Sequence, residues 1–127
     1  ETGAAATVPA EDFDLDFEKL LATYADHAIL ARIVRAFFTD TGKELRLLDR
    51  AMAAGNQAGI LAGCHSLRGS AAIFTAKKLA TTAEELDACI RLGEKNAAES
   101  AWLKVQAAHA SLRNAVASRL GLSLPCD

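Results

Sequence analysis

A histidine followed by an arginine three residues on and a glycine four residues on, inside a stretch otherwise suited to helix, is the combination in this 127-residue chain most suited to chemistry. The stretch reads His65-Ser66-Leu67-Arg68-Gly69-Ser70. On a helix, positions i, i+3 and i+4 share one face. The imidazole of His65, the guanidinium of Arg68 and the bare backbone of Gly69 would therefore lie together, with Leu61 and Ala72 extending the face by a turn on either side. Glycine inside a helix costs about 1 kcal/mol relative to alanine, so Gly69 works against the propensity of its own segment. The missing side chain would give another molecule room to approach His65, and Arg68 would offset negative charge arriving there. Such an arrangement suits a histidine that accepts a phosphoryl group. The acceptor must be a neutral imidazole, which a free pKa of about 6.5 makes available near pH 7. Phosphoryl transfer then asks for in-line positioning and charge neutralisation more than for covalent help from the protein.

Other reactive side chains have plainer readings. His27 falls in the first turn of an expected helix, where it would be exposed. His109 falls on an apolar stripe, where it would be a partly buried packing residue. Neither has a basic residue and a glycine at i+3 and i+4. Cys64 adjoins His65, but successive helical positions point about 100° apart, so a core thiol is the simpler assignment. Three widely spaced cysteines, Cys64, Cys89 and Cys126, with no Cys-x-x-Cys pair, argue against a disulfide framework or a structural zinc site and suit a reducing, cytoplasmic compartment. No Gly-x-Gly-x-x-Gly, Walker lysine loop, Gly-x-Ser-x-Gly elbow or His-Glu-x-x-His occurs. The expectation is a non-enzymatic domain that binds no metal or cofactor of its own. A net charge of −2 without a basic stripe speaks against nucleic acid. Apolar runs fall far short of the ~20 residues needed to cross a bilayer, and Glu1 to Ala10 lacks the basic start and apolar run of a signal peptide.

The elements that must position His65 are helices. Alanine and leucine abound, β-branched residues are sparse, and no stretch alternates as a strand would. Residues 1–12 read as a leader or linker that includes Pro9, followed by a short helix over Phe13 to Tyr24. A long helix from about Asp26 to Ala54 carries Leu30, Val34, Phe37, Thr41, Leu45, Leu48 and Met52 at steps of four and three, with Gly42 a possible bend point. Gly55 is a stop and Asn56 an N-cap for the next helix, which buries Ile60, Cys64, Leu67, Ala71 and Phe74. Thr75 is expected to cap a helix from about Ala76 to Leu92 carrying Leu79, Ala83, Leu86 and Ile90, with Gly93 as its stop. Asn96 and Glu99 form a capping-box-like pair before a last helix with Trp102, Val105, His109, Leu112, Val116 and Leu120, ended by Gly121. Residues 122–127 read as a tail. Four such stripes joined by short turns bury themselves most economically as an all-α, antiparallel four-helix bundle over residues 13–121, the short first helix covering one end.

The segment from Ala62 to Asp87 resembles the histidine-containing phosphotransfer (HPt) domains of multistep phosphorelays. His65, Leu67, Arg68, Gly69, Ser70 and Ala71 match the family pattern in type and spacing, and Leu79 and Leu86-Asp87 fall where it places leucine and a leucine-acidic pair. Thr75 stands where the family commonly has a second glycine, and Arg68 where lysine is commoner. The resemblance implies a phosphocarrier that takes a phosphoryl group from a receiver-domain aspartate onto His65 and passes it to another receiver aspartate. Arg68 would stabilise charge, Gly69 would give access, and Leu61, Ser66, Ala72 and Asp87 would border the docking face. The implied partners are response-regulator receiver domains, which would supply Mg²⁺. This domain would be a monomer without nucleic-acid or membrane contact. Leader and tail suit the C-terminal domain of a bacterial hybrid sensor kinase, whose inner-membrane anchor would leave this domain in the cytoplasm. Two other readings compete. One is a helical adaptor that binds a receiver or another protein without being phosphorylated. The other is the dimerisation-and-phosphoacceptor domain of a histidine kinase, disfavoured because an acidic residue usually follows that histidine and Ser66 follows this one.

Overall fold

A computed structural model describes residue 23 and residues 26–74 and 76–124. Four long helices account for most of them: α1 (His27–Ala54), α2 (Gln57–Ile73), α3 (Lys77–Arg91) and α4 (Lys95–Leu120). The connections span only two or three residues, so consecutive helices run antiparallel and pack along one another, while α1 and α4 meet more sparingly. The leader, most of the expected helix over Phe13 to Tyr24, and Cys126 lie outside the described residues. Thr23, the one described residue of that helix, is helical.

Local chemistry explains most boundaries. Asp26 caps α1, its carboxylate accepting from the backbone N–H of Ala28 at 2.8 Å and of Ile29 at 3.4 Å. At the other end Gly55 adopts a left-handed φ of 65°. The N–H groups of Gly55 and Asn56 then return to the carbonyls of Met52 and Ala51, a turn that an L side chain would strain. Asn56 immediately caps α2 through Gly59 N–H at 3.1 Å. Gly93 closes α3 in the same way, its φ at 71° and the N–H groups of Gly93 and Glu94 on the carbonyls of Ile90 and Cys89.

Three expectations need correction. Ala76, not Thr75, holds the N-cap position of α3, and no side chain caps it. The turn is instead tied backward, Ala76 N–H donating to the Ala71 carbonyl at 2.8 Å, with the Ala76 side chain buried in the core. Asn96 and Glu99 form no capping box, because the backbone bonds that end α3 let α4 restart at Lys95 with Glu94 at its N-cap, leaving Asn96 inside the first turn. Part of the tail belongs to the fold: Leu122 and Leu124 pack against the core.

The interior joins the four stripes. Leu30, Val34 and Leu48 of α1, Cys64, Leu67 and Ala71 of α2, Leu79, Ala83 and Leu86 of α3, and Val105 and Val116 of α4 are fully enclosed. Phe37 stacks on Phe74 with centroids 4.3 Å apart, and meets Phe38 edge-on at 4.9 Å. The sparse α1–α4 seam carries the core's polar contact: Thr41 Oγ1 lies 2.8 Å from His109 Nε2 and 2.9 Å from the Phe37 carbonyl. With the hydroxyl proton given to that carbonyl, His109 donates through Nε2–H. Burial first, and the Arg113 charge second, lower the His109 pKa to about 4, so the ring is neutral at physiological pH.

Candidate functional site

The core register of α2 sets the direction of His65. Ile60, Cys64, Leu67, Ala71 and Phe74 all turn inward, so the opposite face of the helix carries His65, Gly69 and Ala72 into solvent. Among the described residues, the His65 side chain has neither a hydrogen-bond nor an ion-pair partner. Its imidazole is presented rather than built into the bundle.

Gly69 is one turn from it, and Gly63 and Gly69, both inside α2, have opposite explanations. A Cβ on Gly63 would come within 2.7 Å of Cγ and Cδ2 of Leu48, so that glycine lets α1 lie close against α2. A Cβ on Gly69 would meet nothing within 4 Å, and Gly69 has no positive φ. Nothing among the described residues requires the missing side chain, although a helix interior disfavours it.

Arg68 leans toward α3. Its Nη2 donates to Oε2 of Glu84 at 3.2 Å, both side chains being substantially exposed, and exposed pairs of this kind contribute at most about 1 kcal/mol. On the α1 side, Ser70 Oγ donates to Glu44 Oε2 at 3.1 Å, while Oε1 of the same carboxyl is buried without a partner among the described residues. Burial raises the Glu44 pKa, the Ser70 bond lowers it, and nearby Asp40 raises it further, with a net upward shift.

Cys64 does not join His65 in a reactive pair. It is enclosed, and burial first, then the Asp87 charge, push its thiol up to about 11. No metal-binding group of three or more histidine, cysteine or carboxylate side chains occurs among the described residues. Of the expected docking residues, Ser66 and Ala72 are exposed and Leu61 is half-buried. Asp87 is largely covered, its side chain 15% accessible and its Oδ1 held 2.6 Å from Arg91 Nε. His27 is exposed in the first turn of α1, as expected.

Sequence reasoning missed three neighbours. Glu84 and Glu44 approach the motif only through the pairing of α2 with α3 and with α1, which a single sequence does not reveal. Ile73 is 78% exposed beside Ala72, and a lone apolar residue off the buried stripe is its only sequence signal. Ser66 also lines a groove between α1 and α2, floored by Gly59, Ala62 and Gly63 and walled by Leu47 and Arg50. The site thus offers an exposed nitrogen nucleophile, a cation one turn away and unobstructed backbone between α1 and α3.

A family model described as Hpt domain matches residues 32–115, well over half of the chain. Searches of curated proteins and of solved structures return no match. No described helix is long and apolar enough to cross a membrane.

Proposed function

Because this chain belongs to the Hpt domain family, whose members serve phosphotransfer in two-component signalling, we propose that it is a phosphocarrier between receiver domains with His65 as acceptor. The observation that carries the assignment to this face is Gly69. It is an exposed helical glycine whose missing Cβ would meet nothing within 4 Å among the described residues, one turn from an exposed histidine, and a docked partner accounts for it.

The step is a displacement at phosphorus. His65, neutral with its proton on Nδ1, attacks the aspartyl phosphate of the donor receiver through the Nε2 lone pair. The N–P bond forms as the bond to the carboxylate oxygen breaks, and the donor aspartate leaves as a free carboxylate. The phosphorylated ring is then a protonated imidazole at Nδ1, a good leaving group. A carboxylate oxygen of the next receiver attacks phosphorus and returns His65 to its neutral form. Arg68 lies one turn away to donate to phosphoryl oxygens, which carry a charge of about −1.5 to −2 at pH 7. Mg²⁺ would be supplied by the receiver. Ser66 and Ala72, exposed beside His65, and half-buried Leu61 border the receiver's footprint. Asp87, engaged by Arg91, contributes there through its pair rather than as a free carboxylate. The same division of labour suits the C-terminal domain of a hybrid sensor kinase acting in the cytoplasm.

The test is to incubate the protein with a phosphorylated receiver and Mg²⁺ and to follow acid-labile, base-stable phosphate on wild type and on His65→Gln. Label on wild type alone is the expected result. No label with several receivers would favour an unphosphorylated adaptor, and label surviving the substitution would mean another acceptor.

A further inference from the structure

Arg68 is the cation nearest His65 in the helical register, and it is not free. Nη2 is engaged by Glu84 Oε2 at 3.2 Å across the α2–α3 gap, and no other bond holds the guanidinium among the described residues. Nε and Nη1 therefore remain available to a second acceptor. About one turn further along α3, Asp87 is committed to Arg91 at 2.6 Å. Asp87 follows Glu84 by three positions on α3, so the two carboxylates share the flank of that helix that Arg68 meets. That flank is thus two neutral pairs rather than a bare positive charge. With 42% and 61% of their side chains accessible, Arg68 and Glu84 do little for the fold. What the contact does is choose one position for a long, rotamer-rich side chain.

We propose that Glu84 is a positioning residue for Arg68. It parks the guanidinium on the α3 flank of His65 with part of its donor fork occupied, so that a phosphoryl group on His65 is oriented by Arg68 but not gripped by it. The inference rests on His65 being the phosphoryl acceptor. An unrestrained arginine closes on phosphate with two parallel hydrogen bonds, the strongest such contact available to a side chain. A carrier that made that contact would hold its cargo against the next acceptor. Sharing Arg68 with Glu84 keeps the phosphoryl group transferable.

The experiment uses the whole chain and phosphoramidate as donor, so that no receiver is involved. Nε2 of His65 forms its bond to phosphorus as the P–N bond of phosphoramidate breaks and ammonia leaves. The ³¹P resonance followed against pH then reports the proton affinity of the phosphoryl group. Glu84→Gln keeps the side-chain shape and removes the charge that holds Arg68. It is expected to lower that proton affinity roughly three- to tenfold, the scale of a new charge-assisted contact. In an Arg68→Ala background the same substitution should change it less than about twofold, the residual effect of one distant, screened charge. Equal changes in the two backgrounds, or none in the first, would overturn the inference. A wild-type protein that gains no ³¹P signal, or a signal undiminished by His65→Gln, would instead overturn the acceptor assignment and this inference with it.

Discussion

Acidification should destabilise this bundle through the Thr41–His109 contact. In the folded protein the imidazole stays neutral down to about pH 4, whereas in the unfolded chain it protonates near its ordinary 6.5. A base whose folded pKa is depressed contributes stability that is fully present above the unfolded value and is lost as pH falls from 6.5 toward 4. The whole interval corresponds to about 3 kcal/mol, of which about 2 kcal/mol is lost between pH 7 and pH 5. That is a large fraction of the 5–15 kcal/mol typical of a domain. With urea slopes of about 1–3 kcal/mol per molar, the midpoint should fall on the order of 1 M between the two pH values. His109→Leu removes the titrating group and strands no donor, since Thr41 keeps its bond to the Phe37 carbonyl at 2.9 Å. Glu44, whose raised pKa makes it respond in the opposite sense, is common to both proteins and cancels in the comparison. The assay is urea unfolding by circular dichroism at pH 7 and pH 5. Equal losses in wild type and His109→Leu would refute the reasoning.

Further outcomes follow from the same geometry. Gly69→Ala, with open space for its Cβ, should raise the urea-unfolding free energy by up to about 1 kcal/mol. Under the phosphocarrier reading it should also slow receiver-dependent labelling about tenfold, equivalent to about 1.4 kcal/mol of lost docking, while labelling by phosphoramidate persists. Gly63→Ala should instead destabilise by about 1–3 kcal/mol, because its Cβ would sit 2.7 Å from Leu48. Thr41→Val should cost about 1–3 kcal/mol by leaving the buried Nε2–H of His109 unpaired, measured against His109→Leu as reference. In a Cys126→Ser background, a thiol reagent at pH 8 should modify the partly accessible Cys89 in the native protein and reach the enclosed Cys64, its pKa pushed to about 11, only on unfolding.

The helical architecture was legible because each buried stripe recurs at steps of four and three, and because Gly55, Gly93 and Gly121 stand where the chain takes a positive φ. His65 was legible for a related reason: once Cys64 and Leu67 are assigned inward, the face between them must point out. Caps chosen by residue type alone failed at Thr75 and Asn96. There backbone-to-backbone bonds in the turns settled the boundary, and propensity gave no sign of them. Glu84 and Glu44 were not legible at all. Their closeness to Arg68 and Ser70 depends on the axial register between antiparallel helices, which Gly63 against Leu48 helps to set on the α1 side. Polar partners one helix away are therefore the part of such a site that only coordinates reveal.

The outward mounting of His65 has a kinetic consequence. The helix behind it is buttressed by Ile60, Cys64, Leu67 and Ala71, so the imidazole can be approached from one side only. For a phosphocarrier, donor and acceptor receivers then contend for a single berth, and no assembly holding all three proteins can form. Relay through such a node is a strict alternation of visits. Its throughput should peak when the two receivers are balanced in abundance and fall when either is in large excess, so the cell could throttle the pathway by changing the amount of a receiver without touching the chemistry.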